Sequence, residues 1–247
     1  MQLRPNIGAV SPALVNLLAP GGVLRAGINL SNFLLVTGRT AEGDPVGVAP
    51  DMARALAETL GVGVRYVPYA NPGLISDAAT RDEWDVGLIG AEPQRAEVMS
   101  FTPAYVEIEA TYLVPAGSPL TTIEEVDAEG VRIAVTDRSA YGLWLDRNIR
   151  KAELVRSGSL DETFHEFVDK KLDVLSGLRS RLILDQKQVP GSRLLDGRFM
   201  AVQQAIGTSK SKSAALDLLT QFVEAAKSSG FVAELIRKHG AEGLSVA

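Results

Sequence analysis

Residues 84–90 read WDVGLIG, and residues 172–177 read LDVLSG. Each stretch is a short apolar run that follows an aspartate, a pattern typical of a strand buried on both faces of a parallel sheet. A second echo links residues 22–27, GVLRAG, with residues 130–135, GVRIAV. The two echoes predict two similar α/β units in series. Chance similarity stays an alternative, because any buried parallel strand favours apolar runs.

Helical patterns separate these apolar runs. Met52, Leu56 and Leu60 recur at helical spacing within residues 50–60, and Gly61 follows, so a helix is predicted there. Another helix is predicted over 73–84 and strands over 23–28, 64–69 and 85–89. The alternation of strand and helix predicts a mostly parallel sheet.

The second half of the chain repeats this scheme and then returns. Ser159 and Glu162 form a capping-box pattern ahead of an apolar stripe that runs from Leu160 to Leu172, which predicts a helix. β-rich runs at 108–114 and 199–206 are predicted crossings between two lobes, and helices are predicted over 213–228 and 231–239. The predicted domains are residues 1–113 plus 205–247 for lobe 1 and residues 114–204 for lobe 2.

The composition limits the class of protein. The chain has 247 residues, with 25 Lys and Arg against 30 Asp and Glu, a net charge of −5. The mixed charges argue against a nucleic-acid-binding protein, and no apolar run reaches the roughly 18 residues of a membrane helix. The first twenty residues lack the order of a signal peptide. We therefore expect a periplasmic protein if a signal was trimmed, and a cytoplasmic one otherwise.

Residues for catalysis or cofactor binding are scarce. The chain has no cysteine and two histidines, His165 and His239, both predicted to be solvated. The sequence has no metal-ligand cluster, nucleophile elbow, Walker loop or dinucleotide-binding glycine motif. We expect no metal, no cofactor and no catalytic residue.

From about Gly22 to the C-terminus, the chain resembles the type II periplasmic binding proteins. The resemblance is to bacterial solute-binding protein family 3, the polar amino-acid branch of ABC-transporter receptors. The motifs that carry it, in the family's order, are VLRAGIN, DPVGVAPDMARALAETLG, WDVGLIG, an arginine followed by SFTPAY, GVRIAVTDRSAY and LDVLSGL. The resemblance implies an α/β fold of two lobes, with two chain crossings between the lobes and a ligand cleft between them.

The family binds the carboxylate of its ligand with an arginine, and the resemblance places this role on Arg95. A guanidinium offers a planar fork of donors that fits a carboxylate bidentately. A solvated helix arginine paired with Glu92 is the alternative interpretation. The loop ahead of Arg95 is short and lacks the family's hydroxyl side chains, which leaves Gly90 and Ala91 as candidate contacts.

A second anion-binding element of the family is a helix N-terminus, where backbone N–H groups and the helix dipole favour negative charge. The resemblance maps this element onto Ser139, Ala140 and Tyr141. A plain N-cap is the alternative role of Ser139. Arg138 stands where the family usually has glycine, and a side chain at that position disfavours the family's tight turn.

Family members that bind α-amino acids hold the ammonium with an aspartate five residues after the aspartate of the second-lobe strand. Counting from Asp173 gives Leu178, so that counter-charge is missing. An ammonium without a partner in a closed cleft would lose several kcal/mol of solvation, so a standard α-amino acid is not expected. Arg179 either turns toward the ligand as a second cation or lies exposed.

Three further ligand contacts are candidates near the ends of strands. Phe33 falls where the family has an aromatic lid, and burial in the core is its alternative role. Asn32 and Asn71 are candidate polar contacts, with turn formation as the alternative.

We expect a monomeric, non-enzymatic receptor that closes on a small organic anion or amino-acid-like ligand and delivers it to an ABC permease. No nucleic-acid partner and no membrane insertion are expected. Two alternatives stay open. One is a cytoplasmic sensing or scavenging protein without a permease, and the other is a cyclohexadienyl-dehydratase-like lyase with Glu92 as its general acid.

Overall fold

The computed structural model describes residues 5–247, which divide into two compact units. Unit 1 joins the chain up to Glu107 with Gln203–Ala247, and unit 2 is Ile108–Val202. The chain therefore passes between the units twice, as predicted. It does so within two long strands, and the predicted lobe bounds after residues 113 and 204 lie in the same strands.

The first part of unit 1 alternates helices and strands. Its elements, in chain order, are α1 (Pro12–Leu18), β1 (Val23–Asn29), β2 (Gly38–Arg39), β3 (Pro45–Val46), α2 (Val48–Leu60), β4 (Gly63–Tyr69), α3 (Pro72–Asp77), β5 (Val86–Gly90), α4 (Pro93–Ala96) and β6 (Met99–Phe101). β7 (Val106–Val114) then carries the chain into unit 2.

Unit 2 repeats the alternation, and the chain then returns to unit 1. The elements are β8 (Arg132–Thr136), α5 (Ala140–Asn148), β9 (Glu153–Ser157), α6 (Leu160–Asp169), β10 (Val174–Leu178), α7 (Arg179–Gln186), β11 (Arg193–Leu194), β12 (Met200–Ser209), α8 (Leu216–Ser228), α9 (Phe231–Lys238) and β13 (Leu244–Val246). A 3-10 helix, Lys210–Ala215, precedes α8.

The strand order is the same in the two units. In unit 1 the order is β4-β1-β5-β12, with the first three strands parallel and β12 antiparallel to β5. In unit 2 the order is β9-β8-β10-β7, with three parallel strands and β7 antiparallel to β10. The predicted repeat of a mostly parallel α/β unit is therefore confirmed in the packing of the strands.

Apolar side chains cover both faces of the unit 1 sheet. Leu24, Ala26 and Ile28 of β1 pack into a cluster with α2, α8 and α9. On the opposite face, Ile75 and Trp84 belong to a smaller buried cluster. Burial on both faces explains the nearly unbroken apolar runs of these strands.

Local signals set the helix ends largely where the sequence indicates. Gly61 ends α2 in the left-handed region at φ 71°, a conformation that costs glycine little. The hydroxyl of Ser159 accepts a hydrogen bond from the Glu162 N–H at the start of α6, as the capping box predicts. The Glu162 carboxylate accepts from the Gly158 N–H instead of the N–H of the cap residue.

One predicted element is corrected, and one strand was missed by the sequence analysis. The helix predicted over 73–84 ends at Asp77, and a 3-10 turn at Ala78–Thr80 follows. Leu74, an apolar residue of this segment, is exposed. The run over 153–157 forms β9, an edge strand that was not predicted. Edge strands carry a weaker apolar pattern because they pair on one side only.

The aspartate of WDVGLIG is the centre of a buried polar cluster in unit 1. Asp85 is 0% exposed. Its carboxylate accepts hydrogen bonds from the Arg25 backbone N–H at 2.8 Å and from the Arg25 guanidinium at 2.8 and 3.0 Å. Lys212, from the 3-10 helix before α8, also donates to it. The cluster ties β1, β5 and the return segment together at one end of the sheet.

The aspartate of LDVLSG repeats the arrangement in a more exposed form. Asp173 accepts from the Arg132 backbone N–H at 2.9 Å and from its guanidinium at 3.3 Å, and its side chain is 41% exposed. Arg132 therefore corresponds to Arg25. This equivalence shifts the echo of 22–27 with 130–135 by one residue from the alignment that the letters suggest.

The prediction that His239 is solvated is wrong. Its side chain is 6% exposed, and Nε2 lies 2.8 Å from the Asp51 carboxylate in the first turn of α2. Burial raises the pKa of Asp51, but the bonds from Lys238 and His239 outweigh it, so that this pKa lies below its ordinary value. The contact joins elements 188 residues apart, which no local pattern reveals.

We predict that Asp85→Asn lowers the unfolding free energy by about 3–5 kcal/mol, because it leaves Lys212 and Arg25 facing a neutral amide in a buried place. Asp173→Asn is the matched control and is expected to cost less than about 1 kcal/mol, since solvent screens that pair. Urea unfolding measures both. Equal losses in the two variants would contradict the central role of Asp85.

Candidate functional site

Arg95 lies in α4, a single turn that directly follows β5. Pro93 occupies the first turn of this short helix, where its missing N–H leaves no helical bond unmade. Arg95 is 2% exposed, and Nη1 donates to the Gly90 carbonyl at 2.7 Å. The solvated arginine considered in the sequence analysis is therefore not what the structure shows. The guanidinium is buried at the carboxyl end of a parallel strand.

The residues around Arg95 are also buried and polar. Glu92, the residue before α4, is 5% exposed, and Gln204 of β12, which pairs with Gly90, is also 5% exposed. The Ala91 N–H donates to the Gln203 carbonyl at 2.7 Å. The shortened loop is thus held by β12. Its Gly90 carbonyl and Ala91 amide are already engaged by protein groups.

The N-terminus of α5 is formed as the sequence predicts. Ser139 is the N-cap, and its Oγ accepts from the Gly142 N–H at 3.0 Å and donates to the Thr136 carbonyl at 2.7 Å. Ala140 is the first helical residue and is buried. The capping role of Ser139 is therefore observed, while ligand binding by Ser139 and Ala140 stays a prediction.

Arg138 adopts the left-handed conformation at φ 58°. This is the region that glycine, the family's usual residue there, occupies at little cost, while other L-residues lose about 1–2 kcal/mol. The tight turn between β8 and α5 is therefore present despite the arginine.

Tyr141, the second residue of α5, is buried, and its hydroxyl makes no hydrogen bond within the described residues. Burial raises its pKa, and the nearby Thr136 and Ser139 side chains offset part of that rise. The phenol therefore stays neutral near pH 7.

Leu178 ends β10, is 8% exposed and immediately precedes α7. The position to which the resemblance maps the ammonium-binding aspartate thus carries an apolar side chain. Glu109 directly precedes Ala110, the residue of β7 that pairs with Leu178. Its carboxylate accepts from Arg179 Nε at 2.7 Å and lies 3.6 Å from the Arg198 guanidinium.

Arg179 fits neither alternative of the sequence analysis fully. Its side chain is partly buried and also donates to the Gly197 carbonyl. The two bonds fix the guanidinium on unit 2 beside Glu109. Its charge is therefore largely compensated by the protein itself.

The asparagine side chains act in local turns. The Asn71 oxygen caps α3 by accepting from the Leu74 N–H at 3.1 Å, and the Asn32 oxygen accepts from the N–H groups of Leu34 and Leu35. Both side-chain oxygens therefore take the turn-forming role that was the alternative in the sequence analysis. Phe33 is partly buried, between the lid and the core roles considered for it.

An aromatic stack in unit 2 was not predicted from the sequence. Tyr112 of β7 and Phe199 stack with ring centroids 4.5 Å apart, and Trp144 of α5 lies 5.2 Å from Phe199. Tyr112 is buried, while Phe199 and Trp144 are partly exposed. The three residues come from distant segments, so no local motif marks them.

A groove of about 680 Å³ opens elsewhere on unit 1. It runs between α1, the turn after α3 and the 3-10 helix before α8, and Lys212 and Asp82 lie on its wall. None of the predicted ligand residues lines it. Of its four charged lining residues, Asp82 and Lys212 belong to the Asp85 cluster, since Lys212 lies 3.6 Å from Asp82, and Glu97 and Lys210 are the other two.

Other kinds of site were also sought. Among residues 5–247, no group of three or more His, Cys, Asp or Glu side chains could hold a metal ion. No helix in the same range is long and apolar enough to cross a membrane.

Known sequences include similar proteins. The family described as "Bacterial extracellular solute-binding proteins, family 3" matches residues 28–242. The cyclohexadienyl dehydratase of Pseudomonas aeruginosa is 30% identical over 167 residues, which are 62% of this chain and 58% of that enzyme. The chain thus spans less than two thirds of the length of this curated relative.

Several solved structures share the fold. The solute receptor for L-cysteine of Neisseria gonorrhoeae superposes with a TM-score of 0.74 at 19% identity, over 91% of this chain and 92% of that one. An amino acid ABC transporter substrate-binding protein of Streptococcus pneumoniae, bound to L-arginine, gives 0.72 at 17% identity, over 95% and 99%. An ancestral amino-acid-binding protein, a precursor of cyclohexadienyl dehydratase, gives 0.72 at 21% identity, over 91% and 98%.

We predict that Gly142→Ala lowers the unfolding free energy by about 1–3 kcal/mol. A Cβ there would meet the Thr136 carbonyl oxygen at 2.8 Å and Ser139 Oγ at 2.9 Å, so the cap of α5 would have to open. The sign is diagnostic, because Gly→Ala inside an unconstrained helix stabilises by up to about 1 kcal/mol. Thermal or urea unfolding measures it, and a gain in stability would contradict the crowded turn.

Proposed function

Because the chain belongs to family 3 of the bacterial extracellular solute-binding proteins, we propose that it is a receptor that binds a small carboxylate-bearing ligand and delivers it to an ABC permease. The resemblance seen in the sequence is confirmed by this membership. The type II periplasmic binding protein fold is confirmed by the similarity to the solved receptors. The family's description fits action outside the cytoplasm.

The observation that carries the proposal is the buried guanidinium of Arg95 at the end of β5. Ligands of open α/β sheets bind beyond the carboxyl ends of the strands. A buried arginine there offers charge-assisted hydrogen bonds, which are roughly twice as strong as neutral ones. We therefore assign the ligand's carboxylate to Arg95.

Unit 2 supplies a second anion-binding element in this proposal. The first N–H groups of α5, at Ala140 and Tyr141, lack helical partners by geometry, and the helix dipole favours an anion at this end. Ser139 holds the turn in place through its two hydrogen bonds. In this proposal the Ser139 hydroxyl orients the backbone amides, and the amides bind the anionic group of the ligand.

The ligand is proposed not to be a standard α-amino acid. Leu178 offers no charge to an ammonium, and Glu109 is bound by Arg179 and lies close to Arg198. Transfer of an unpaired ammonium out of water costs several kcal/mol. A carboxylate without an α-ammonium avoids that loss.

A lyase activity is the second candidate, favoured by the cyclohexadienyl dehydratase relative and by Glu92. This carboxyl group is buried three residues before Arg95, and carboxyl side chains are among the groups that serve as general acids. Incubation with prephenate or arogenate tests it. Product formation by the unchanged protein that is lost in the Glu92→Gln variant would support a dehydratase. If the unchanged protein forms no product from either compound, this second candidate is not supported.

We predict that carboxylates without an ammonium raise the melting temperature and that Arg95→Met abolishes most of this shift. A ligand at 100 times its Kd adds about 2.7 kcal/mol of stability, and loss of a charge-assisted contact weakens binding by at least about tenfold. A thermal-shift screen of organic acids, amino acids and sulfonates measures this, with exposed Arg81→Ala as the matched control.

Each part of the proposal has its own contrary outcome. Methionine keeps the apolar length of the arginine side chain, so the variant is expected to fold. The melting temperature of the variant without ligand checks this. A folded Arg95→Met protein with an unchanged ligand shift would contradict the carboxylate clamp. Tightest binding by ordinary α-amino acids would contradict the inference from Leu178.

A further inference from the structure

Gln204 of β12 is a buried polar residue with unusual hydrogen bonding. It is 5% exposed, and its side-chain amide makes no hydrogen bond within residues 5–247. By contrast, the buried side chains of Asp85, Arg95 and Thr208 in the same unit all bond to protein groups. Buried polar groups are hydrogen-bonded with few exceptions, and each exception calls for an explanation. A partner from outside the chain is the explanation that the surroundings of Gln204 support.

Gln204 lies directly beside Gly90, the residue whose carbonyl binds Arg95. The two residues pair across β12 and β5. The Gln204 carbonyl accepts from the Tyr105 N–H at 2.8 Å, on the β7 side of β12. Gly90 and Gln204 therefore form a non-hydrogen-bonded pair, in which the Cα atoms are about 4.5 Å apart. Since Arg95 Nη1 donates to the Gly90 carbonyl at 2.7 Å, Gly90 stands between the two polar side chains.

The neighbouring residue Gln203 shows how a glutamine of this strand is otherwise held. Side chains alternate along a strand, so Gln203 and Gln204 point to opposite faces of the sheet. Gln203 Nε2 donates to the Glu107 carboxylate at 2.9 Å. On its own face, Gln204 stands opposite Gly90, which has no side chain to offer a bond. Glycine also lets another molecule approach the backbone closely. A ligand atom over Gly90 would therefore lie within reach of the Gln204 amide.

The chemistry of the amide selects the kind of group that it binds. A primary amide carries N–H donors and an oxygen acceptor. A hydroxyl satisfies both kinds, because it donates and accepts, whereas an ammonium only donates and a methylene does neither. Arg95 and Gln204 both adjoin Gly90 in unit 1. A hydroxyl bound by Gln204 therefore lies close to a carboxylate bound by Arg95.

We propose that Gln204 is a specificity-determining residue that binds a hydroxyl next to the ligand's carboxylate, so that the receptor selects 2-hydroxy acids. The inference rests on the proposed receptor function and names its ligand class. Arg95 binds the carboxylate, Gln204 binds the hydroxyl, and the ligand lies over Gly90. A carboxylate without the hydroxyl leaves the amide unpaired, and sites built to hydrogen-bond a hydroxyl reject analogues that lack it.

Calorimetry with two matched pairs of acids tests the proposal. L-malate differs from succinate only in the hydroxyl, and 2-hydroxy-4-methylpentanoate differs from 4-methylpentanoate in the same way. The first pair has a polar body and the second an apolar one. We expect the preferred hydroxy acid to bind at least about tenfold tighter than its partner. In Gln204→Met this ratio is expected to fall below about twofold, because methionine keeps the length of glutamine and removes its donors and acceptor.

The melting temperature without ligand gives a second readout. Because the Gln204 amide bonds to no protein group within the described residues, Gln204→Met is expected to leave the melting temperature unchanged or to raise it. Gln203→Met is the matched control, since it makes the same substitution one residue earlier and removes the bond to Glu107 instead. The control variant is expected to keep the full preference for the hydroxy acid.

The outcomes separate this inference from the proposed function. If Arg95-dependent carboxylates bind but neither hydroxy acid binds more tightly than its partner, the role of Gln204 is wrong and the receptor function stands. A lower melting temperature of Gln204→Met with an unchanged preference would show that the amide has a structural role only, which also overturns the inference. Equal losses of preference in Gln203→Met and Gln204→Met overturn it as well. If no carboxylate of any kind binds, the receptor proposal fails, and this inference fails with it.

Discussion

The buried carboxylate of Asp85 is the constraint on which unit 1 depends. Removing such a charge from water is costly, and only cations with good geometry repay it. Arg25 supplies its backbone N–H and its guanidinium, and Lys212 supplies a second cation from the far end of the chain. The side chain of Arg25 is held so firmly that its pKa is raised, chiefly by the hydrogen bond to Asp85. Three segments that are distant in the chain are thereby held together at one end of the strands.

The proposed ligand-binding residue Arg95 lies at the opposite end of the same strands. Because β1 and β5 are locked at their beginnings, the position of their carboxyl ends follows from strand length and register alone. Gly90 and the α4 turn therefore stand in a defined place, and Arg95 is buried against a rigid carbonyl. A stable cluster at one end of the strands thus supports the buried arginine to which we assign ligand binding at the other end.

Unit 2 has the same aspartate–arginine pair at the start of its strands, but this pair is more exposed, and the turn into α5 is strained. Asp173 is half exposed, so its pairing with Arg132 is screened by solvent. Strain appears instead at Arg138, where a left-handed arginine begins the turn into α5. Strained residues persist only where the surroundings determine them, and they concentrate at ligand sites. The turn lies where the proposed anion-binding amides begin.

The sequence alone determined the alternation of strands and helices, the repeat, the two passages of the chain and the family. These depend on periodic burial and on residues close in the chain, which local patterns record. It also singled out Arg95 and the Ser139 cap, because one is a motif position and the other a local hydrogen bond. Only the tertiary structure decided which charges are satisfied and which rings meet. His239 is buried against Asp51, Glu109 is taken by Arg179, and Trp144 meets Phe199, because each pairing joins segments whose approach depends on the folded sheet.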